Sequence, residues 1–233
     1  MAFTPLADLF HLFVPRRCGV CGATLVEGEH HFCVRCLMGA PFTDHPSAPY
    51  NRLIEHLRES VPVEHAAALL MFPKGSAWRR AVHDFKYRGH WRVARHCGEW
   101  LGGALAEGGG FYDVDVVVPI PLHPRKVLRR GYNQADYVAR GVAAMLSRPC
   151  VSGNLRRVKN NPSQTHKRTS ERWENVAGIF AVSRPEEFAG KHILLIDDVV
   201  TSGATITSAA EAILRACPGA RVSVAAFATA RYS

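Results

Sequence analysis

The residues with the clearest chemical content run from His192 to Thr205. An apolar run, Ile193, Leu194, Leu195 and Ile196, leads into an acidic pair, Asp197 and Asp198, and then into Val-Val-Thr-Ser-Gly-Ala-Thr ahead of a helical stretch. Four consecutive apolar residues fit a central strand covered on both faces, and Gly203 lets the backbone turn closely before a helix that begins near Ala204. The first amides of that helix are unpaired and sit at the positive end of its dipole, so they form an anion site to which Thr201, Ser202 and Thr205 can add hydroxyl donors. A monophosphate fits there. Carboxylates beside a phosphate cradle repel phosphate, so their natural partners are hydroxyls, and the 2′ and 3′ hydroxyls of a ribose can donate one hydrogen bond to each acid. Ribose 5-phosphate is the implied core of the ligand. The plainer reading, two acids ending a strand and Thr-Ser capping a helix, does not account for strand, acids, hydroxyl loop and glycine arriving in that order. The chain has no G-x-x-x-x-G-K-[ST], G-x-S-x-G or H-E-x-x-H, so nucleotide triphosphatase, serine hydrolase and zincin readings lack their anchoring residues.

A second chemical pattern lies near the other end, where Cys18-Gly-Val-Cys21 and Cys33-Val-Arg-Cys36 are separated by eleven residues. Two C-x-x-C knuckles let each pair chelate from a tight turn, with Gly19 and Gly22 relieving the backbone, which predicts a structural four-thiolate Zn2+ site at Cys18, Cys21, Cys33 and Cys36. A redox C-x-x-C expects one motif beside a βαβ unit instead. His30 and His31 could replace a thiolate, but four well-spaced cysteines leave them exposed or outside the ligand set. Cys97, Cys150 and Cys217 show no ligand spacing and read as small buried hydrophobes.

The formal charge of +9 invites an anionic partner, and its placement is more informative than its sum. Arg125, Lys126, Arg129 and Arg130 follow an expected strand at Val114 to Val118, after the stiff turn Pro119-Ile-Pro-Leu-His-Pro124 that can aim Arg125 or Lys126 at a ligand. Arg156, Arg157, Lys159, Lys167, Arg168 and Arg172 bracket the polar stretch Asn160 to His166, which has the composition of a loop closing over a site. Any single basic residue here can also be a solvated surface charge. Trp78, Tyr87, Trp91 and Trp173 lie near basic residues, among them Arg79, Arg80 and Arg88, and could stack bases, although buried aromatics are the commoner case.

The elements that must position these groups read as an α/β protein: residues 1–45 carry an amphipathic helix and the zinc module, and 46–233 the main domain. Thr4 as cap, Pro5 in the first turn and Leu6, Leu9, Phe10 and Phe13 at helical spacing give the opening helix, expected to dock on the protein with peripheral membrane contact at most. Pro41 to Pro49 reads as a linker. Strands are expected at Ala66 to Phe72, Val114 to Val118, Gly178 to Val182, Ile193 to Ile196 and Val222 to Phe227. Helices are expected at Ser76 to Tyr87, Trp91 to Ala106, Asn133 to Leu146 and Ala204 to Ala216. Alternation of strand and helix predicts a mainly parallel sheet flanked by helices, with the ligand beyond the carboxyl ends of its strands, where Pro119 and Asp197 emerge. Cysteines in metal-type spacing, no transmembrane-length apolar run and a start unlike a signal peptide point to the cytoplasm.

Ile193 to Thr205 resembles the phosphoribosyl pyrophosphate (PRPP) motif of type I phosphoribosyltransferases. The four-cysteine start, Phe85-Lys-Tyr-Arg-Gly89, Val118-Pro-Ile-Pro-Leu-His123, Arg130-Gly-Tyr-Asn-Gln134, Asn161-Pro-Ser-Gln-Thr165 and Arg172-Trp-Glu-Asn175 extend the likeness, over nearly the whole chain, to the ComF family. The resemblance implies a type I phosphoribosyltransferase-like fold in which Asp197 and Asp198 hold the ribose and Thr201, Ser202, Gly203, Ala204 and Thr205 wrap the 5-phosphate. Mg2+ then rides on the pyrophosphate. Arg125 and Lys126 are assigned to the leaving pyrophosphate, with Lys167 or Arg168 closing over it. Purine-salvage members usually carry an aspartate at the position of Thr201, so its absence weakens a hypoxanthine or guanine transferase reading. ComF proteins are associated with handling imported single-stranded DNA in natural transformation, which implies PRPP, single-stranded DNA and a competence helicase as partners. The competing expectation is a phosphoribosyltransferase of nucleotide or cofactor metabolism with no DNA role.

Overall fold

Two long strands, β5 (His192–Val200) and β6 (Arg221–Ala230), form the centre of a four-stranded sheet whose edges are β1 (Ala66–Phe72) and β2 (Val116–Pro119). The order is β1-β6-β5-β2 and every pair is parallel. The structure, a computed structural model, describes residues 16–72, 75–87, 89–159 and 178–230, and of these the side chains at 84–87 and 230 are left aside. The remaining elements, in chain order, are α1 (Val34–Met38), α2 (Arg52–Arg58), α3 (Trp78–Tyr87), α4 (Trp91–Gly108), α5 (Pro124–Arg130), α6 (Gln134–Leu146), β3 (Leu155–Arg157), β4 (Phe180–Val182) and α7 (Ala204–Ala216). The opening helix expected at Thr4 to Phe13, the loop Asn160 to His166, Lys167, Arg168, Arg172 to Asn175 and Arg88 lie outside the described residues.

The unbroken apolar runs of the central strands follow from burial on both faces. Ile193, Leu195, Val116, Val118, Val222 and Val224 face Leu53 and Leu57 of α2 and Ile206, Ala210 and Ile213 of α7. Leu194, Ile196, Val117, Ala225 and Phe227 face Leu101 and Leu105 of α4 and Val138 and Val142 of α6. Helices α4 and α6 cross closely because glycines meet backbone: a methyl group on Gly98 would stand 2.1 Å from the Val138 carbonyl oxygen, and one on Gly141 would stand 2.3 Å from that of Arg95.

Several expectations change in instructive ways. The strand expected at Gly178 to Val182 is not in the parallel sheet; Phe180–Val182 pairs antiparallel with Leu155–Arg157 in a separate ribbon. Only Phe180 of its three residues is buried, so it lacks the two covered faces of a central strand. Strand β5 does not stop at Ile196 but continues through both acids to Val200, because β6 is long enough to keep pairing with it, Asp197 opposite Ala226 and Val200 opposite Thr229. The segment read as a linker is laid against the edge of β1, where Thr43 N–H donates to the Leu69 carbonyl at 3.0 Å and Met71 N–H to that of Pro41 at 2.9 Å.

Three short helices escaped the periodicity reading. The Asn51 side chain caps α2, its oxygen accepting from the N–H groups of Leu53 and Ile54 at 3.1 Å each. Helix α5 starts with Pro124 at its first turn and ends at Gly131, whose φ of +84° suits glycine. Among the described residues no helix is long and apolar enough to cross a membrane.

At the amino ends of β5 and β6, fully buried His192 joins Asp113 and Ser223, with Nδ1 2.9 Å from Asp113 Oδ1 and Nε2 2.8 Å from Ser223 Oγ. This sequence of groups looks like a hydrolytic triad, but Ser223 is itself fully buried and its oxygen already accepts from the His65 N–H at 3.1 Å. It binds the strands together rather than facing a substrate.

Candidate functional site

The acidic pair, the hydroxyl loop and the start of α7 come together at the carboxyl ends of the central strands. Asp198 is buried and Asp197 partly so, and the Asp198 N–H donates to Asp197 Oδ1 at 2.8 Å, which fixes the first carboxylate relative to the strand. Beyond Val200 the chain bends through Thr201 and Ser202, both exposed, to Gly203. Asp197, Val200 and the residues Thr201 to Ile206 line a single small concavity.

Gly203 sets the geometry of the loop. Its φ is +72°, and a methyl group there would approach Leu57 Cδ2 to 2.9 Å, so a side chain would be strained and crowded at once. Because this glycine is also the N-cap of α7, no side chain occupies the first-turn N–H groups, and its carbonyl accepts from Thr207 N–H at 2.9 Å. The open donors at the positive helix end are the groups a phosphate needs. Helix α2 braces the loop from behind: His56 Nε2 lies 3.2 Å from the Ser202 carbonyl oxygen and Leu57 packs on Gly203. Neither residue carried a sequence signal, since a seven-residue helix is too short to show a period.

Pro119 and Ile196 are register partners in adjacent strands, and the Ile120 N–H donates to the Ile196 carbonyl at 2.8 Å, so the loop after β2 leaves beside the acids. The Arg130-Gly-Tyr-Asn-Gln134 segment holds that loop. Asn133 Nδ2 donates to the Ile120 carbonyl at 3.0 Å, and Arg130 Nη1 donates to Oε1 of buried Gln134 at 3.0 Å. Tyr132 immediately precedes the Asn133 that pins this loop. Burial, with smaller contributions from Tyr137 and Asp198, pushes its phenol up to about 12, so it stays a protonated donor at neutral pH.

Of the two cations expected on this loop, the structure separates one from the other. Arg125 is exposed, whereas Lys126 is half-buried, and burial together with neighbouring Arg157, Arg130 and Arg129 pulls its ammonium below the usual lysine range. Arg157, at the end of β3, was read only as one charge in a basic stretch. Its guanidinium stacks 5.5 Å from the Phe180 ring centre, and its buried Nε has no hydrogen-bond partner. Burial depresses its pKa against the opposing pull of Asp197. Lys126 and Arg157 are thus two half-buried, mutually repelling cations, chemistry suited to a polyanion. The antiparallel ribbon with Phe180 is what locates Arg157, a pairing that no local pattern signals.

At the other end, the sulfurs of Cys18, Cys21, Cys33 and Cys36 lie within 4.8 Å of one another. Cys21 Sγ and Cys33 Sγ are 3.7 Å apart, close to the edge of about 3.8 Å that four Zn–S bonds of about 2.3 Å in a tetrahedron require. Burial raises the Cys18 thiol, but N–H groups of Cys21, Cys33 and Val20 outweigh it and bring the pKa to about 6. Cys36 is pushed up by burial and by the three neighbouring thiols, a crowding that a dication would relieve. The donor set fits zinc. Exposed His30 and half-buried His31 stand outside it, and Phe32 anchors the module on Trp78 and Trp100 at ring distances of 4.9 and 5.3 Å. Trp78 is therefore core, only 4% exposed, and not a surface for bases.

Residues 91–232, from α4 to the end of β6, match the model of the phosphoribosyl transferase domain. The chain belongs to the phosphoribosyl transferase family. Within that family it is similar to DNA utilization protein YhgH of Salmonella typhimurium, 28% identical over 201 residues that cover 85% of this chain and 84% of that protein. It is also similar to Competence protein F of Haemophilus influenzae, 26% identical over 194 residues, 81% of this chain and 74% of that one. Competence protein ComFC of Bacillus subtilis is 35% identical over 108 residues, 46% of this chain and 42% of its own. The likeness to ComF phosphoribosyltransferase-like proteins holds over most of the chain, and the fold is the expected parallel sheet flanked by helices.

Proposed function

We propose that this phosphoribosyl transferase family member binds Mg·PRPP at the β5–α7 junction and acts in handling single-stranded DNA. The observation that carries the ligand is the concavity in which Asp197, the Thr201–Thr205 turn and a glycine-capped helix end meet, with Asp198 next along the strand. In this reading Asp197 and Asp198 accept from the ribose hydroxyls, and the Thr201–Thr205 turn holds the 5-phosphate. Lys126 and Arg157, with exposed Arg125 closing from solvent, neutralise the diphosphate and its bound Mg2+. If pyrophosphate leaves, positive charge develops on the sugar beside Asp197 and Asp198, which stabilise it, while the cations stabilise the departing group. Lys167 and Arg168 are candidates to complete the cover over the diphosphate. The N-terminal residues 1–45 act as a zinc-organised module beside the 46–233 domain.

Support for the DNA role comes from the relatives, by name a competence protein and DNA utilization proteins, and from the net charge of +9. Calorimetric titration of zinc-loaded protein with Mg·PRPP tests the site. Asp197→Asn with Asp198→Asn should weaken binding without loss of folding; an unchanged affinity would remove the assignment. Release of pyrophosphate from the same mixture, with and without single-stranded DNA, separates an enzyme acting in nucleic-acid processing from a PRPP-responsive scaffold.

A further inference from the structure

Between the four-cysteine module and helices α3 and α4 opens a cleft that the ribose-phosphate site leaves unused. Its lining holds two cations, Arg17 and Arg80, and four imidazoles, His30, His31, His83 and His90, with no carboxylate among the lining residues. Arg17 and Arg80 are exposed. Such a wall offers two fixed cations and several imidazole N–H donors without a specific pocket for one small anion, an arrangement that suits successive phosphates of a phosphodiester backbone.

From the lip of this cleft an aromatic path leads to the acids. Trp91 follows His90 directly and is 36% exposed, with the Arg92 guanidinium 4.4 Å from its ring centre. Its ring lies 5.4 Å from that of Tyr137, which carries Arg140 at 5.5 Å. Tyr137 in turn lies 5.3 Å from Tyr132, whose neighbour Asn133 is hydrogen-bonded to the Ile120 carbonyl beside the end of the acid-bearing strand. These three rings stay partly open, unlike Trp78, although Tyr137 also packs against the core, and an arginine lies over two of them. Exposed ring faces with the Arg92 guanidinium beside them suit bases and a phosphate in turn, while Arg140 is already paired with Asp136 at 2.9 Å.

We propose that a single-stranded polynucleotide lies along this surface, its phosphates against Arg17 and Arg80 in the cleft and its bases over Trp91 and Tyr137 toward Tyr132. The strand is thereby led from the zinc module to the Asp198 side of the ribose-phosphate site. This placement rests on the DNA half of the function proposed above. The test uses the full zinc-loaded chain and a fluorescent oligothymidylate, followed by anisotropy across a salt series, with a duplex of the same length for comparison. The wild type should prefer the single strand. Arg80→Glu should lower affinity and flatten the salt dependence by about one ion or more. Trp91→Ala should weaken binding roughly 5- to 150-fold, and Trp91→Phe should recover most of it. Mg·PRPP affinity and zinc content, unchanged in each variant, show that the fold is kept; should Trp91→Ala fail to fold, Arg92→Glu probes the same station from the surface. If the wild type binds the strand and these variants bind it equally well, the path is wrong while the DNA role stands. If the wild type binds no single strand, both fall. Equal affinity for the duplex would mark a general polyanion surface and overturn the stacking path.

Discussion

Replacing Arg157 by methionine should separate ligand recognition from stability. In the free protein the buried Nε of Arg157 has no partner, and the burial that depresses its pKa outweighs the attraction of Asp197. Removing the charge therefore leaves no Nε hydrogen bond to lose among the described residues, and methionine keeps an apolar stem against Phe180. The unliganded midpoint of thermal unfolding should stay the same or rise. With Mg·PRPP bound, the lost contact is a hydrogen bond to a charged group, about 1.5–3 kcal/mol, or roughly a 10- to 150-fold increase in Kd at about 1.4 kcal/mol per decade. Ribose 5-phosphate, which has no diphosphate, should bind the variant as it binds the wild type. Calorimetry with both ligands and unfolding without either make the measurement. An unchanged PRPP affinity, or equal losses for the two ligands, would refute the placement of Arg157 against the diphosphate.

Gly98→Ala or Gly141→Ala should each destabilise the protein by about 1–3 kcal/mol or more, because the added methyl meets backbone at 2.1 or 2.3 Å, and the pair should be less than additive since both report one crossing; denaturant titrations of the three variants check this. Acid stability should depend on Asp113. Burial raises its carboxyl, but Arg221 and His192 outweigh that and hold it below the usual range, so its contribution is present above its unfolded pKa of about 3.9 and fades as pH falls through the lower folded value. Asp113→Asn should lower stability at neutral pH and flatten that acid limb, read from unfolding midpoints between about pH 2 and 6. Chelating the metal, or Cys33→Ser, should free Phe32 from Trp78 and Trp100 and red-shift tryptophan emission; an unmoved spectrum would contradict the docking of the module.

The parts legible in the sequence were those with unbroken patterns. Helix α7 has the expected bounds, and the glycine-capped turn before it follows from residues whose roles are local. The cysteine cluster is legible for the same reason, each knuckle being a turn of four residues. Asp197 and Asp198 were recognised as acids at a strand end, yet their strand runs on to Val200 because an equally long neighbour pairs with it, a fact of the sheet and not of the segment. Arg157 and Tyr132 gain meaning only from tertiary placement, one through an antiparallel ribbon and the other through a loop pinned by Asn133 and Gln134. Lys126 and Arg125 are sequence neighbours with the same charge, and only the hand of a short helix decides which is drawn inward. The brace by His56 and Leu57 depends on a seven-residue helix more than a hundred positions away.

A crystal structure of the zinc-loaded protein with Mg·PRPP would test the central claim most directly. The account predicts the 5-phosphate on the first-turn amides of α7, the ribose hydroxyls on Asp197 and Asp198, and the diphosphate between Lys126 and Arg157. PRPP bound in the reverse sense, or held away from the β5–α7 turn, would contradict it.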